Sequence, residues 1–263
     1  MNTKFLITAD SNRSALLKKK IIHYYIANGD ATIAELCKEM DLSIPTVTKL
    51  VGELLDDGYI LDFGKQETNG GRKPNIYGLN PVSGYFVGVD VFRSKINIAA
   101  VDFKGDKLRI EENIPYSLEN TPEALEMLCN LINDFIDRLS VPREKVLAVG
   151  VNISGRVNPV SGYSYSIFYF EEKPLSQILE ERIKIKIYIE NDTRAMMYGE
   201  YMQGVVKGEK NILFINMGWG LGLSIFINGE LYYGKSGFSG EFGHFCFFDN
   251  EILCHCGKKG CIE

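Results

Sequence analysis

A chain of 263 residues, 45% hydrophobic and 24% charged, has room for two or three compact domains and the composition of an ordinary globular protein. Its net charge of −5 excludes nucleic-acid binding over the whole surface but not through a local patch. Residues 1–80 carry ten Lys+Arg against ten Asp+Glu, so the acidic excess lies entirely in the remainder.

Met1–Asp10 is polar and lacks the apolar core of a secretory leader, which points to a cytoplasmic location. Ser11–Ala27 places Leu16, Leu17, Ile21, Ile22, Tyr25 and Ile26 at helical spacing, and Gly29 ends the run. Thr32-Ile33-Ala34-Glu35 is a capping box opening a short second helix with Leu36 and Met40 inward. After Asp41-Leu42, Ser43 caps a third helix with Pro45 in its first turn and Val47, Leu50, Val51, Leu54 and Leu55 on one face. Gly58-Tyr59-Ile60 starts a strand, Asn69-Gly70-Gly71 is a hairpin turn, and Ile76–Leu79 is the returning strand. Three helices and a hairpin make a winged helix-turn-helix. Its third helix is expected in the major groove, with Ser43, Thr46, Thr48 and Lys49 facing base edges and Arg72 and Lys73 of the wing on phosphate or the minor groove. A small three-helix protein-interaction domain is the competing reading; operator DNA is the expected partner.

Pro81-Val82-Ser83-Gly84 reads as a linker. Tyr85–Val91, Ile96–Asp102 and Lys107–Tyr116 follow as three strands joined by tight turns. A helix from Thr121 to about Leu139, a buried strand Val146–Ile153, a strand Ile185–Glu190 and a helix Asp192–Met202 come next. The strand pattern then recurs at Ile212–Met217, Leu221–Ile227 and Leu231–Tyr233. Asn211–Gly229 carries no charge, but its Asn, Ser and Gly residues make it a buried β-hairpin rather than a membrane span, so no membrane partner is expected. A βββαβα unit followed by a second βββ start implies a two-lobed α/β body with its ligand between the lobes. The domains expected are 1–80, 81–205 and 206–263.

The C-terminal segment reads Gly243-His244, nine residues, then Cys254-x-Cys256-Gly257-x2-Gly260-Cys261-x-Glu263. Half of the six cysteines fall in eight residues, with spacing that closes a tetrahedral zinc site through His244, Cys254, Cys256 and Cys261. His255 is an alternative ligand. Four protein ligands leave no open position, so the zinc is expected to be structural. Cys37, Cys129 and Cys246 sit singly in apolar surroundings, as reduced cysteines do.

The zinc cluster, Glu190-Asn191-Asp192, Glu241-x-Gly243-His244 and the head with Gly71-Arg72-Lys73-Pro74 together resemble the ROK family of repressors and sugar kinases, over residues 11–263. The resemblance implies an α+β multi-domain chain: a winged helix-turn-helix head and an actin-like ATPase (RNase H-like) two-lobe body, here with an incomplete second lobe because family members continue past the zinc motif. It places Gly155, Arg156, Asn191, Asp192, Glu241, His244 and Glu263 around a sugar, and makes Asp192 the counterpart of the catalytic base, vestigial unless the chain is a kinase. The family's Asp-x-Gly-Gly-Thr-Lys loop is here Asp90-Val91-Phe92-Arg93-Ser94-Lys95, without either glycine. Its second phosphate loop is Gly218-Trp219-Gly220-Leu221-Gly222, with Trp219 in place of threonine. Phosphate loops need glycine so that backbone amides approach the anion closely. ATP and Mg are therefore not expected at Asp90, Ser94, Lys95, Gly218, Gly220 and Gly222. The implied function is a homodimeric or higher-order repressor responding to a sugar or phosphosugar; the alternative is an active sugar kinase with a DNA-binding head.

Overall fold

The head is built on local signals that all agree. In the computed structural model, which describes residues 13–65 and 74–263, helix α1 (Arg13–Asn28) ends where the Gly29 amide returns to the Tyr25 carbonyl at 2.9 Å. A two-residue strand β1 (Ala31–Thr32) leads into α2 (Ile33–Met40). The capping box forms as expected: the Glu35 carboxylate accepts the Thr32 amide at 2.7 Å, and the Thr32 hydroxyl accepts the Glu35 amide at 3.3 Å. Helix α3 (Ile44–Asp56) starts at Ser43, but the Ser43 hydroxyl pairs with the Thr46 hydroxyl at 2.8 Å instead of capping a backbone amide.

Strands β2 (Ile60–Lys65) and β3 (Asn75–Leu79) form the antiparallel wing, with Ile60 opposite Leu79, and β1 joins the other side of β3. The hairpin turn Asn69-Gly70-Gly71 and the basic residues Arg72 and Lys73 lie outside the described residues. Ile21, Leu36, Val47, Leu54 and Tyr59 close the core, each fully buried.

Pro81–Gly84 is a packed turn rather than a linker. Pro81–Ser83 forms a 3-10 turn, Ser83 is buried, and Lys145 Nζ donates to the Val82 carbonyl at 2.9 Å. Phe103 and Leu147 belong to the same core as the head, and Phe103 lies 5.6 Å from the Tyr59 ring. The head with Ala99–Ile110 and Arg138–Ala148 is accordingly one compact unit, and the other residues form a second.

The body sheet holds β4 (Tyr85–Val91), β5 (Lys95–Asp102), β6 (Lys107–Pro115), β7 (Val146–Ile153) and β10 (Ile187–Asn191) in the order β10-β7-β4-β5-β6. Helix α4 (Pro122–Asp137), within the expected bounds of Thr121 to about Leu139, buries Leu125, Leu128, Ile132, Phe135 and Ile136. A short hairpin β8 (Val157–Asn158) and β9 (Tyr163–Ser164) and a helix α5 (Leu175–Ile183) intervene before β10; none of these is anticipated from the sequence. Parallel pairing of β10 with β7 sets Asn191 opposite Ile153 and so aligns the ends of both strands.

Helix α6 (Asp192–Gln203) follows, then an antiparallel sheet of β11 (Ile212–Met217), β12 (Leu221–Ile227) and β13 (Glu230–Leu231). This hairpin is not buried on both faces as expected. Phe226 and Ser224 are buried, whereas Leu213, Ile215 and Met217 are exposed, so its strands alternate.

Candidate functional site

Asp192 stands at the first turn of α6, where β10 delivers it beside the end of β7. Its Oδ2 accepts the Ser154 hydroxyl at 2.7 Å, and its Oδ1 accepts the Thr193 amide at 2.7 Å and the Asn191 side-chain amide at 2.9 Å. Asn191 caps α6 through the Arg194 amide (3.1 Å) and also donates to the Gly155 carbonyl at 3.0 Å. Gly155 has φ +93°, and a Cβ there would lie 2.5 Å from the Ser166 side chain, so only glycine fits. The Arg156 amide donates to Ser166 Oγ at 3.0 Å, while the Arg156 side chain is exposed. Gly155, Asn191 and Asp192 are thus brought together, with Ser154 as an unanticipated fourth member.

Glu190 and Arg194 form a second unanticipated element. Arg194 is 3% exposed; its Nε donates to Glu190 Oε1 at 2.7 Å, its Nη1 to the Gly237 carbonyl at 2.9 Å and its Nη2 to the Val157 carbonyl at 2.7 Å. The Tyr233 hydroxyl donates to Glu190 Oε2 at 3.0 Å. Burial, then the Glu190 carboxylate, push that hydroxyl well above its ordinary range. This buried pair ties the β8 segment and the Tyr233–Gly237 loop to the start of α6. Glu190 stands on β10, before the helix begins, so helical charge spacing does not signal the pair.

The metal segment is nearly devoid of regular structure, apart from a 3-10 turn at Phe242–His244 and isolated bridges joining Cys246 to Cys261 and Leu253 to Lys259. Gly260 (φ +75°) packs directly on the Phe248 carbonyl, leaving no room for a side chain. The donor atoms of His244, Cys254, Cys256 and Cys261 all lie within 4.8 Å of one another. A zinc ion with Zn–S bonds of about 2.3 Å has tetrahedral edges of about 3.8 Å between sulfurs. Cys256 and Cys261 are 3.7 Å apart, and Cys254 Sγ is 3.6 Å from His244 Nδ1, so the four donors fit that ion. Burial pushes the Cys261 thiol up to about 12, while the Lys258 backbone amide holds Cys256 below its ordinary value. A bound cation would instead take both as thiolates. His255 belongs to a second, overlapping group with His244 and Glu263, which offers one sulfur-free alternative.

Glu263 meets His244 Nδ1 at 3.3 Å and His255 Nδ1 at 3.2 Å, and its other oxygen accepts the Leu221 amide at 3.2 Å. Glu241 lies 4.0 Å from His244 Nε2. Glu241, His244 and Glu263 therefore gather at the metal segment. Adjacent residues of β12 link them to the Asp192 cluster, because Gly222 packs directly on the Thr193 side chain while Leu221 holds Glu263.

The nucleotide-loop counterparts are engaged with protein groups. Asp90 accepts the Asn152 side-chain amide at 2.7 Å, and Lys95 Nζ donates to Asn113 at 2.6 Å. Ser94 offers its carbonyl to the Tyr116 amide at 3.3 Å. The Arg93 guanidinium lies 5.3 Å from the centre of the Trp219 ring. A Cβ at Gly220 would lie 2.8 Å from the Glu263 carboxylate, so Gly220 packs on Glu263. On the head, Ser43, Thr48 and Lys49 are exposed and Thr46 is half-buried; Lys49 reaches Glu53 at 3.9 Å.

Residues 86–263 match the ROK family. The chain belongs to the ROK family. Residues 16–60 match a winged helix-turn-helix DNA-binding family, so a ROK body follows a winged helix-turn-helix head. The xylose repressor of Bacillus subtilis is 29% identical over 252 residues, covering 94% of this chain and 64% of that protein. The DNA-binding transcriptional dual regulator NagC of Escherichia coli is 28% identical, covering 89% and 58%. The chain thus spans somewhat under two thirds of these relatives' length. The crystal structure of a ROK transcriptional regulator homologous to E. coli MLC superposes with a TM-score of 0.74 at 23% identity, over 94% of this chain and 63% of that one. A ROK glucokinase from Streptomyces griseus, solved with glucose and AMPPNP, gives 0.58 at 29% identity over 68% and 55%. The fold is a winged helix-turn-helix followed by an actin-like ROK body. Among the described residues no helix is long and apolar enough to cross a membrane.

Proposed function

We propose that this chain is a sugar-responsive transcriptional repressor of carbohydrate-metabolism genes, in which the winged head of a homodimer reads operator DNA and the ROK body holds a sugar or phosphosugar. Residues 1–80 carry the DNA reader, 81–205 the first lobe and 206–263 the start of the second. The observation that carries this reading is the contrast within one body. The Ser154, Asn191 and Asp192 cluster is assembled for hydroxyl groups, while Arg93 and Trp219 occupy each other where the family's phosphate loops meet. Carboxylate and amide groups accept and donate to neighbouring hydroxyls without any nucleotide. The names of the repressor relatives support the same reading.

Zinc held by His244, Cys254, Cys256 and Cys261 would supply structure rather than chemistry, bracing the segment that bears Glu241 and Glu263. Ser43, Thr46, Thr48 and Lys49 would face the major groove, with Arg72 and Lys73 on the backbone or minor groove. The test has two arms. DNA selected from a random pool should bind the full chain, lose affinity on Thr46→Ala with Lys49→Ala, and respond to added sugar. A coupled ATPase assay over a hexose panel should show no sugar-dependent turnover. Kinase-level turnover would establish the competing reading, in which Asp192 is the base that deprotonates a sugar hydroxyl.

A further inference from the structure

The aromatic rings of the run Tyr163-Ser164-Tyr165-Ser166-Ile167-Phe168-Tyr169-Phe170 have no part in the site described so far, although Ser166 between them receives the Arg156 amide. We propose that Tyr165 and Phe238 form an aromatic corner against which the sugar ring packs, so that the effector is a pyranose gripped by its C–H face as well as its hydroxyls. The proposal rests on the sugar-sensor reading above.

The two rings meet edge to face, with centroids 5.1 Å apart and planes at 83°. A ring that serves only as core is covered, as Phe168 is at 2% exposure, whereas Tyr165 is 42% exposed and keeps surface open to a ligand. Both rings stand on segments that carry candidate sugar residues. The Tyr165 amide bonds the Arg156 carbonyl at 2.9 Å, next to Gly155, and Phe238 is three residues before Glu241. Arg194, in the first turn of the helix that begins with Asp192, clamps both segments. It bonds the Gly237 carbonyl, one residue before Phe238, and the Val157 carbonyl, whose residue pairs with Ser164, one before Tyr165. The corner is therefore held rigidly by the same helix that presents Asp192, which lowers the ordering cost of binding.

The chemistry supplies what the polar groups lack. Asp192, Asn191 and Glu241 recognise hydroxyls and amount to the same set for a ring or an open chain. A pyranose with equatorial hydroxyls exposes axial C–H groups on its faces, and these pack on an electron-rich aromatic face. An open-chain polyol has no such face.

Calorimetric titration of the zinc-loaded full chain with D-xylose, N-acetyl-D-glucosamine, N-acetyl-D-glucosamine 6-phosphate and the acyclic polyol xylitol tests this. At least one pyranose should bind, with xylitol at least about tenfold weaker. Tyr165→Ala should weaken the pyranose about tenfold, which is about 1.4 kcal/mol. Tyr165→Phe should stay within about twofold, because the hydroxyl is not what packs. Zinc content and melting temperature serve as controls; if Tyr165→Ala does not fold, Phe238→Leu and the xylitol comparison on the unmodified chain decide. Binding of a pyranose with xylitol equally tight and both ring variants unaffected would overturn the corner and leave the sensor reading standing. Failure of the unmodified chain to bind either pyranose or N-acetyl-D-glucosamine 6-phosphate would overturn the sensor reading, and the corner with it.

Discussion

The head and the metal segment hold their shapes by opposite means. In the head, Ile21, Leu36, Val47, Leu54 and Tyr59 are fully buried around regular helices. In the metal segment Phe245, Phe247, Ile252 and Leu253 are exposed, and a few backbone bridges and a cluster of four metal-type donors stand in place of such a core. A segment that buries so little apolar surface cannot offset its chain entropy by burial alone. A metal at the four donors would do so instead, and that makes the two regions separable by experiment.

Chelation is the strongest way to break the comparison. Structural zinc sites carry an apparent binding free energy of about 10–16 kcal/mol at neutral pH in isolated peptides. Zinc removal, or Cys256→Ser, should disorder residues 241–263 and abolish the sugar response, while leaving the amide-exchange protection of α1, α2 and α3 unchanged. Hydrogen exchange with mass-spectrometric readout measures both regions at once; equal loss of protection in the head would show that the two are one cooperative unit. The next largest effect is expected from Arg194→Ala, which leaves the Glu190 carboxylate without its 2.7 Å partner. Removing one member of such a pair costs about 3–5 kcal/mol where burial is deep. Denaturant unfolding should show the body destabilised, with Tyr233–Glu241 losing protection first.

Legibility from sequence follows the same divide. The head was readable because its signals are local: a capping box four residues long and an apolar helical stripe. The clustering of the four candidate metal donors was readable from spacing, as residues close in sequence and joined by tight turns can reach one point. Ser154, Arg194 and Tyr233 were not, because Ser154 meets Asp192 across 38 residues and Arg194 meets Gly237 across 43. Helix α5 carried a signal in Leu175, Ile178, Leu179 and Ile183 after Pro174, but nine residues behind an aromatic, turn-rich run give that periodicity little weight. The expected linker at Pro81–Gly84 failed for a related reason, since Pro and Gly mark a turn equally well whether it is free or packed.

Within the head, smaller effects sharpen the contrast. Leu36→Ala should destabilise the head by about 2–5 kcal/mol through loss of contacts and the cavity left behind. Zinc stoichiometry and metal-segment protection should not move. The capping box gives the smallest effect and a pH signature. Its Glu35 carboxyl is held below its ordinary 4.5 by the Thr32 backbone amide first and the Thr32 hydroxyl second. A depressed folded-state value means that the unfolded chain takes up the proton first. The contribution is therefore complete above the unfolded value and is lost as pH falls below it through the folded one. Glu35→Ala should cost about 0.5 kcal/mol at pH 7, the low end for a helix cap because the box faces solvent. The loss should shrink towards zero as acid protonates the carboxyl in the unmodified chain. Thermal melts of both proteins from pH 7 to pH 3 measure this, and a stability gap that widens with acid would show that Glu35 does not act through its charged form.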